Sequence, residues 1–436
     1  MALGGGTFVL QNKTLPGAYI NFVSAKNNNV MFGERGYATM PLLLDWGEES
    51  KVFEVTNGDF QKYSTKIFGY DYTHEKMKGL RDLFRNAKTA YLYRLNGGGV
   101  KASNTYATAK YGGTRGNDLK TVIVADPDNE NKFIVKTLLD TLVVDEQGNA
   151  ATTDDLVDND YVTWKANVTL AATAGLALAN GTNGTVTGTN HQTYLDKIEP
   201  YTFNTMGVDT TESTVKALYA AFVKRMRDEM GVKFQLVLHS YAADYLGTIN
   251  VKNSVSDNGW NASALVYWVT GASAGCEINK SNLNKVYDGE FTVGTDYTQH
   301  QLEAAIKAGE FTFHMVGDDV RVLEDINSYV NVTDEMGDVF QYNQVVRVCD
   351  QIGNDIATIF NTRFLGVCPN DEDGRLSFWG TVVKHHKELQ KIRAIQGFDE
   401  NDITVERGDE KDAVYVVDAV EVTVAMGKLY MIVKVA

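Results

Sequence analysis

The chain has 436 residues, 56 acidic against 41 basic side chains and a net charge of −15, so it lacks the basic face with which a nucleic-acid binder neutralises phosphates. No apolar run approaches the ~20 residues a membrane-spanning helix needs. With 44% hydrophobic residues and a length beyond that at which one core stops growing, two or three domains of about 100–200 residues are expected.

Residues 1–20 open with Gly4-Gly5-Gly6 and carry Phe8, Leu10 and the run Leu15–Ile20. A glycine-rich opening is costly to order alone, so this segment is expected to be an extended arm whose apolar residues need a partner surface. It shows neither the basic nor the apolar region of a signal peptide, and synthesis in the cytoplasm is expected. Residues 21–100 form a first α/β unit. Thr73 is placed to cap a helix with Met77, Leu80, Leu83 and Phe84 at helical spacing, and the strand Thr89–Leu95 follows before Gly97-Gly98-Gly99 breaks the pattern. Residues 101–198 turn rich in Thr, Asn, Gly and Asp with short β-like runs, which predicts an inserted β-rich domain.

The α/β pattern returns over residues 199–330. Asp209-x-x-Glu212 resembles a capping box, and Val215, Leu218, Tyr219, Phe222 and Met226 make one apolar stripe. Gly231 ends that helix before the strand-like run Val232–His239; a second helix over residues 299–308 stops at Gly309 before Phe311–Val316. This rhythm predicts that residues 21–100 and 199–330 share one α/β core, with 101–198 looped out. Residues 331–436 make an α+β domain. Val345, Val348, Ile352, Ile356 and Ile359 mark an amphipathic helix, Pro369–Arg375 a loop, and about Thr381–Ile395 a second helix; strand runs cover Ala413–Val424 and Leu429–Val435. The fold class is therefore a multidomain mixture of α/β and α+β.

Catalytic chemistry is missing from the motifs. There is no GxSxG, HExxH or Walker A sequence, and Gly112–Asn117 lacks the GK[ST] ending that grips phosphate. Asp126-x-Asp128-x-Glu130 and Asp371-x-Asp373-Gly374 lack the glycine and distal acid of a calcium loop and are solvated turns. His385-His386 has no companion ligands and is taken as two exposed imidazoles. Cys276, Cys349 and Cys368 form no CxxC pair and are three thiols of a reducing compartment. No catalytic residue, metal or cofactor is assigned.

Two features point to assembly. Leu429, Met431, Val433 and Val435, with Tyr430 and Ile432 between them, make a terminal run that is apolar on both faces. Lys384, Lys387 and Lys391 fall at i, i+3 and i+7 on the second helix, with Arg393 nearby and Glu388 the one acid, a basic stripe on an acidic chain.

Leu15–Ile20, Gly33–Ala38 running into Asp45-Trp46-Gly47, Val52–Phe60, Ala90–Leu95 with Lys110–Asp118, and Ile326-Asn327-Ser328, Arg347–Asp355 and Phe360–Arg375 stand in an order that resembles the contractile tail sheath proteins of phages and phage-tail-like bacteriocins. The resemblance implies an α/β core, an inserted protruding domain and a tube-facing C-terminal domain. It implies terminal arms, with Phe8, Leu10, Leu429, Met431, Val433 and Val435, that add strands to neighbouring subunits. It also implies stacked hexamers around a tail tube, baseplate and tail terminator partners, and contraction without a nucleotide; Lys384, Lys387, Lys391 and Arg393 become tube-contact candidates. The alternatives are a β-rich adhesin or receptor-binding protein and, behind it, a carbohydrate hydrolase.

Overall fold

The run Gln235–His239 is buried at every position, with Val237 packed on one side and Leu236 and Leu238 on the other, as in a strand covered on both faces. It is one strand of a seven-stranded sheet in a computed structural model that describes residues 33–435. The arm expected over 1–20, with Phe8 and Leu10, lies outside the described residues.

In chain order the sheet-forming unit begins with β1 (Tyr37–Leu42), β2 (Val52–Thr56), α1 (Asn57–Phe68), α2 (Lys78–Phe84) and β3 (Thr89–Arg94). An insertion follows: β4 (Ala107–Ala109), β5 (Leu119–Ala125), β6 (Phe133–Leu139), β7 (Leu142–Ala150), β8 (Val162–Trp164) and β9 (Thr173–Ala177). The unit resumes with α3 (Gly188–Ile198), β10 (Thr205–Gly207), α4 (Ser213–Asp228), β11 (Gln235–His239), β12 (Thr248–Val251), α5 (Val266–Gly275), α6 (Gln299–Lys307), β13 (Glu310–Phe311), β14 (Phe313–Val316) and β15 (Asp319–Val322). The last part contains α7 (Asn343–Ile359), α8 (Glu372–Lys391), β16 (Ile395–Gln396), β17 (Ile403–Arg407), β18 (Val414–Asp418) and β19 (Glu421–Val422).

The sheet order is β13-β12-β11-β10-β1-β3-β2, parallel throughout except for the β2–β3 pair. Helices α1, α2 and α5 cover one face through Phe60, Phe68, Leu83, Val266 and Trp268; α3 and α4 cover the other through Tyr194, Leu195, Tyr219, Phe222 and Met226. Residues 188–198, placed in the insertion by composition, thus pack on the sheet. Two capping expectations are corrected. His74, not Thr73, caps the short turn before α2, with Lys76 N donating to its Nδ1 at 3.2 Å. Asp209 does not cap α4; it accepts from Ser263 Oγ at 2.5 Å. The expected strand Phe311–Val316 divides at Thr312: β13 joins the sheet and β14 pairs with β15.

The two ends of the insertion approach so closely that side chains are excluded. A Cβ on Gly99 would lie 1.9 Å from Thr182 O, and one on Gly184 2.1 Å from Gly97 O. Between them β7-β6-β5-β9 form an antiparallel sheet beside the β4–β8 pair. Trp46, from the loop after β1, is buried in the insertion's core against Tyr111 and Tyr161. Asp45 beside it accepts from Asn183 Nδ2 at 2.8 Å and Tyr70 OH at 2.9 Å and pairs with Lys76. Burial opposes ionisation of this carboxylate, but the bonds from Lys76, Asn183 and Tyr70 outweigh it and bring the pKa to about 2.

In the last part α8 begins at Glu372, well before the expected start near Thr381. Asp371 caps it by accepting from Gly374 N at 2.8 Å, and Glu372 and Asp373 favour the positive end of the helix. The segment taken as a loop, Pro369–Arg375, is largely this helix start. Helix α8 ends at Lys391, so Arg393 lies beyond it, with left-handed φ of 62°. The strand run expected over Ala413–Val424 divides into β18 and β19, and residues 429–435 form no strand within this chain.

Candidate assembly surfaces

Helix α7 joins the last part of the chain to the sheet. Its inward face carries Val345, Val346 and Val348 and also buries Asn343, Arg347, Asp350 and Asp355. Burying charge is costly unless it is paired, and here it is. Asp350 receives two bonds of 2.6 Å from Arg227 of α4, whose Nη1 also donates to Phe234 O at 2.6 Å. Burial alone lowers the Arg227 pKa; the Asp350 charge and its hydrogen bonds outweigh it, and the net direction is upward. Arg347 reaches Asp325 Oδ2 at 3.3 Å and Lys280 O at 2.8 Å, and Gln235 Nε2 donates to Asn343 Oδ1 at 2.9 Å.

Helix α8 packs on α7 through residues expected to be solvated. His385 and His386 are fully buried, which corrects their reading as exposed imidazoles. His385 Nε2 is 3.0 Å from Asp355 Oδ2, and His386 stands between Val382 O and Asp418 Oδ2, both at 3.0 Å. On the opposite face Lys384, Lys387 and Lys391 are exposed, as is Arg393 past the helix end. The stripe is partly countered within the chain: Lys387 pairs with Glu400, and Lys391 lies 3.2 Å from Glu388.

The terminal segment departs from this surface. Its root is fixed to α7: Gln344 donates to Thr423 O and accepts from Ala425 N, each at 3.0 Å. Beyond it no strand is assigned through residue 435. Leu429, Met431, Val433 and Val435 are 84%, 72%, 68% and 91% exposed, and Tyr430 and Ile432 are equally open. A contiguous exposed apolar run of this kind marks an interaction site. Among the described residues β17 pairs only with β18. Between α8 and β17 lies a groove lined by Arg375, Leu376, Trp379, Val405 and Arg407, where Trp379 Nε1 donates to Ile403 O at 3.0 Å.

Family models for phage tail sheath proteins match four consecutive stretches: the domain III N-terminal region over 35–95, the beta-sandwich domain over 97–183, the central domain over 184–328 and the C-terminal domain over 335–436. The phage-like element PBSX protein XkdK of Bacillus subtilis is 33% identical, over 99% of this chain and 100% of its own. The chain belongs to the phage tail sheath family.

A sheath tail protein from Desulfitobacterium hafniense has the same fold at a TM-score of 0.83 and 37% identity, covering 93% of this chain and 96% of its own. The helical sheath of the anti-feeding prophage in its contracted state shares the fold alone, at a TM-score of 0.57 and 12% identity over 97% of this chain and 99% of that one. This sheath subunit is a multidomain protein of mixed helix and sheet, with a structural role rather than an enzymatic one. None of its described helices is long and apolar enough to cross a membrane. Among the described residues no cluster of three or more His, Cys, Asp or Glu could hold a metal ion. Motif reasoning had no means of finding the Arg227–Asp350 and His385–Asp355 pairs, whose partners lie 123 and 30 residues apart.

Proposed function

We propose that this subunit polymerises as stacked hexamers in a helix around a tail tube, and that the sheath contracts to drive the tube through a target envelope. The observation that carries this reading is the exposed apolar segment 429–435, rooted on α7 and unpaired among the described residues. A strand of that composition is an aggregation hazard unless it has a dedicated acceptor. The open side of β17 in a neighbouring copy is such an acceptor, with main-chain hydrogen bonds supplying affinity. The N-terminal residues Phe8 and Leu10 act as a second arm in the same proposal, and the insertion is its protruding domain. Baseplate and tail terminator proteins bound the polymer at its ends, and the particle assembles in the bacterial cytoplasm. The purified chain is expected to form tubes or sheath-like polymers under negative-stain microscopy. Discrete trimers or monomers with ligand affinity would instead favour the adhesin reading.

Lys384, Lys387, Lys391 and Arg393 form the tube contact in this proposal. Exposed ion pairs contribute about 1 kcal/mol or less each, which suits a sheath that must release its tube, while repetition around the ring sets the register. The triple variant Lys384→Glu, Lys387→Glu, Lys391→Glu is expected to fold and polymerise, but as contracted, empty sheaths. Extended sheaths on tubes at the normal yield would remove the tube-contact assignment and leave the sheath identity intact.

A further inference from the structure

His386 lies on the inward face of α8 and is fully buried. Its Nδ1 is 3.0 Å from Val382 O, one turn back on the same helix. A carbonyl can only accept, so Nδ1 carries a proton, and in the neutral ring Nε2 is then a bare lone pair. That lone pair would face a second acceptor, Asp418 Oδ2, at 3.0 Å. Nε2 makes no aligned hydrogen bond among the described residues, so charge is what holds the carboxylate against it. The contact is attractive only when the ring carries both protons.

The other groups around the ring do not replace that charge. From α7, Asp355 is engaged by His385 Nε2 at 3.0 Å and by Gln351 Nε2 at 2.9 Å. The Cys349 thiol of α7 is pushed up to about 11, first by burial and then by Asp350, and stays uncharged near neutrality. From the turn after β16, the uncharged Phe398 ring lies 5.2 Å from the imidazole, centroid to centroid, and His385 beside it on α8 lies at the same distance. Lys387 is taken by Glu400. Asp418 matters because of where it sits. It closes the β17–β18 ladder opposite Ile403, whose carbonyl accepts from Trp379 Nε1 of α8 at 3.0 Å. At the far end Asn370, just before α8, donates through Nδ2 to Lys411 O at 3.1 Å and Ala413 O at 2.8 Å. The hairpin is thus clipped to α8 and its approach at both ends, and of these clips His386–Asp418 is the one that depends on a proton.

We propose that the proton on His386 holds the β17–β18 hairpin against α8 and thereby sets, through pH, how well the hairpin accepts a segment from a second copy of this chain. The second half rests on the assembly reading above. Imidazole side chains exchange their proton within about pH 5–8. A contact that needs the proton contributes on the acid side of that range and is lost as pH rises through it.

The test uses the full chain below its assembly concentration. Hydrogen-exchange protection of the β17 and β18 amides, corrected for intrinsic rates, is expected to fall about tenfold or more between about pH 5.5 and pH 8.5, the factor that one charge-assisted contact supplies. His386→Gln keeps a donor but cannot gain a charge, and Asp418→Asn keeps the size of the side chain without its charge; each is expected to be nearly indifferent to pH over this range. Asp418 is partly exposed, so its variant serves where His386→Gln fails to fold. A wild-type hairpin protected equally at both pH values, or a loss that both variants keep in full, overturns the proposal. Above the assembly concentration, the critical concentration of the wild type is expected to rise with pH and that of Asp418→Asn to stay level. A wild-type value that does not move overturns the link to assembly. The exchange measurement is made on monomer, so a chain that never polymerises would refute the sheath assembly reading and leave the hairpin result to stand on its own.

Discussion

Removing residues 428–436 is expected to leave a folded, soluble chain that no longer polymerises. Leu429, Met431, Ile432, Val433 and Val435 are exposed in the isolated subunit, and the described root of the segment ends at Ala425. The deletion should therefore change the stability of the monomer by no more than about 0.5 kcal/mol. Assembly loses far more. A Leu, Ile, Met or Val side chain moved from water into an interface contributes about 1.5–3 kcal/mol. Each ~1.4 kcal/mol is tenfold in association, so removing the run lowers the subunit–subunit constant by several powers of ten. Sedimentation and negative-stain microscopy read the two effects separately. Normal tubes from the truncated chain would show that the segment is no intersubunit clasp; a truncated chain that unfolds would show that it belongs to the subunit's own core.

The second large effect falls inside the subunit. Asp350→Ala leaves the Arg227 guanidinium buried with Phe234 O as its remaining short partner. Stripping one member from a buried pair costs about 3–5 kcal/mol. Urea unfolding of the monomer should therefore show a lower midpoint with little change in slope. A loss below about 1 kcal/mol would mean that the pair is solvated in practice. Replacing both members, Arg227→Met with Asp350→Leu, is expected to recover much of the loss, because no charge is then left buried and unpaired.

What the sequence disclosed was local, and what it hid was long-range. The stops at Gly231 and Gly309 are both left-handed in the structure, with φ of 74° and 67°, because a helix that turns sharply into a strand needs a residue without a Cβ there. The stripe Tyr219, Phe222, Met226 is buried as its spacing requires. Pro369–Arg375 misled for a physical reason: Asp, Asn and Gly favour turns and helix starts alike, and only the Asp371–Gly374 bond decides between them. His385 and His386 looked solvated beside lysines, but Asp355 and Asp418, which hold them, come from other elements. The lysine stripe was legible as a pattern; its partial engagement by Glu400 was not.

The attachment of the terminal segment has a mechanical consequence. A pull on residues 426–435 enters the subunit at Gln344, the second residue of α7. From there it reaches β11, the segment after β15 and α4 through Gln235–Asn343, Arg347–Asp325 and Arg227–Asp350, three buried ties that bear the load in parallel. No single tie has to carry the whole force. Traction applied by a neighbour through this segment is therefore delivered through buried charge pairs to the core of the subunit.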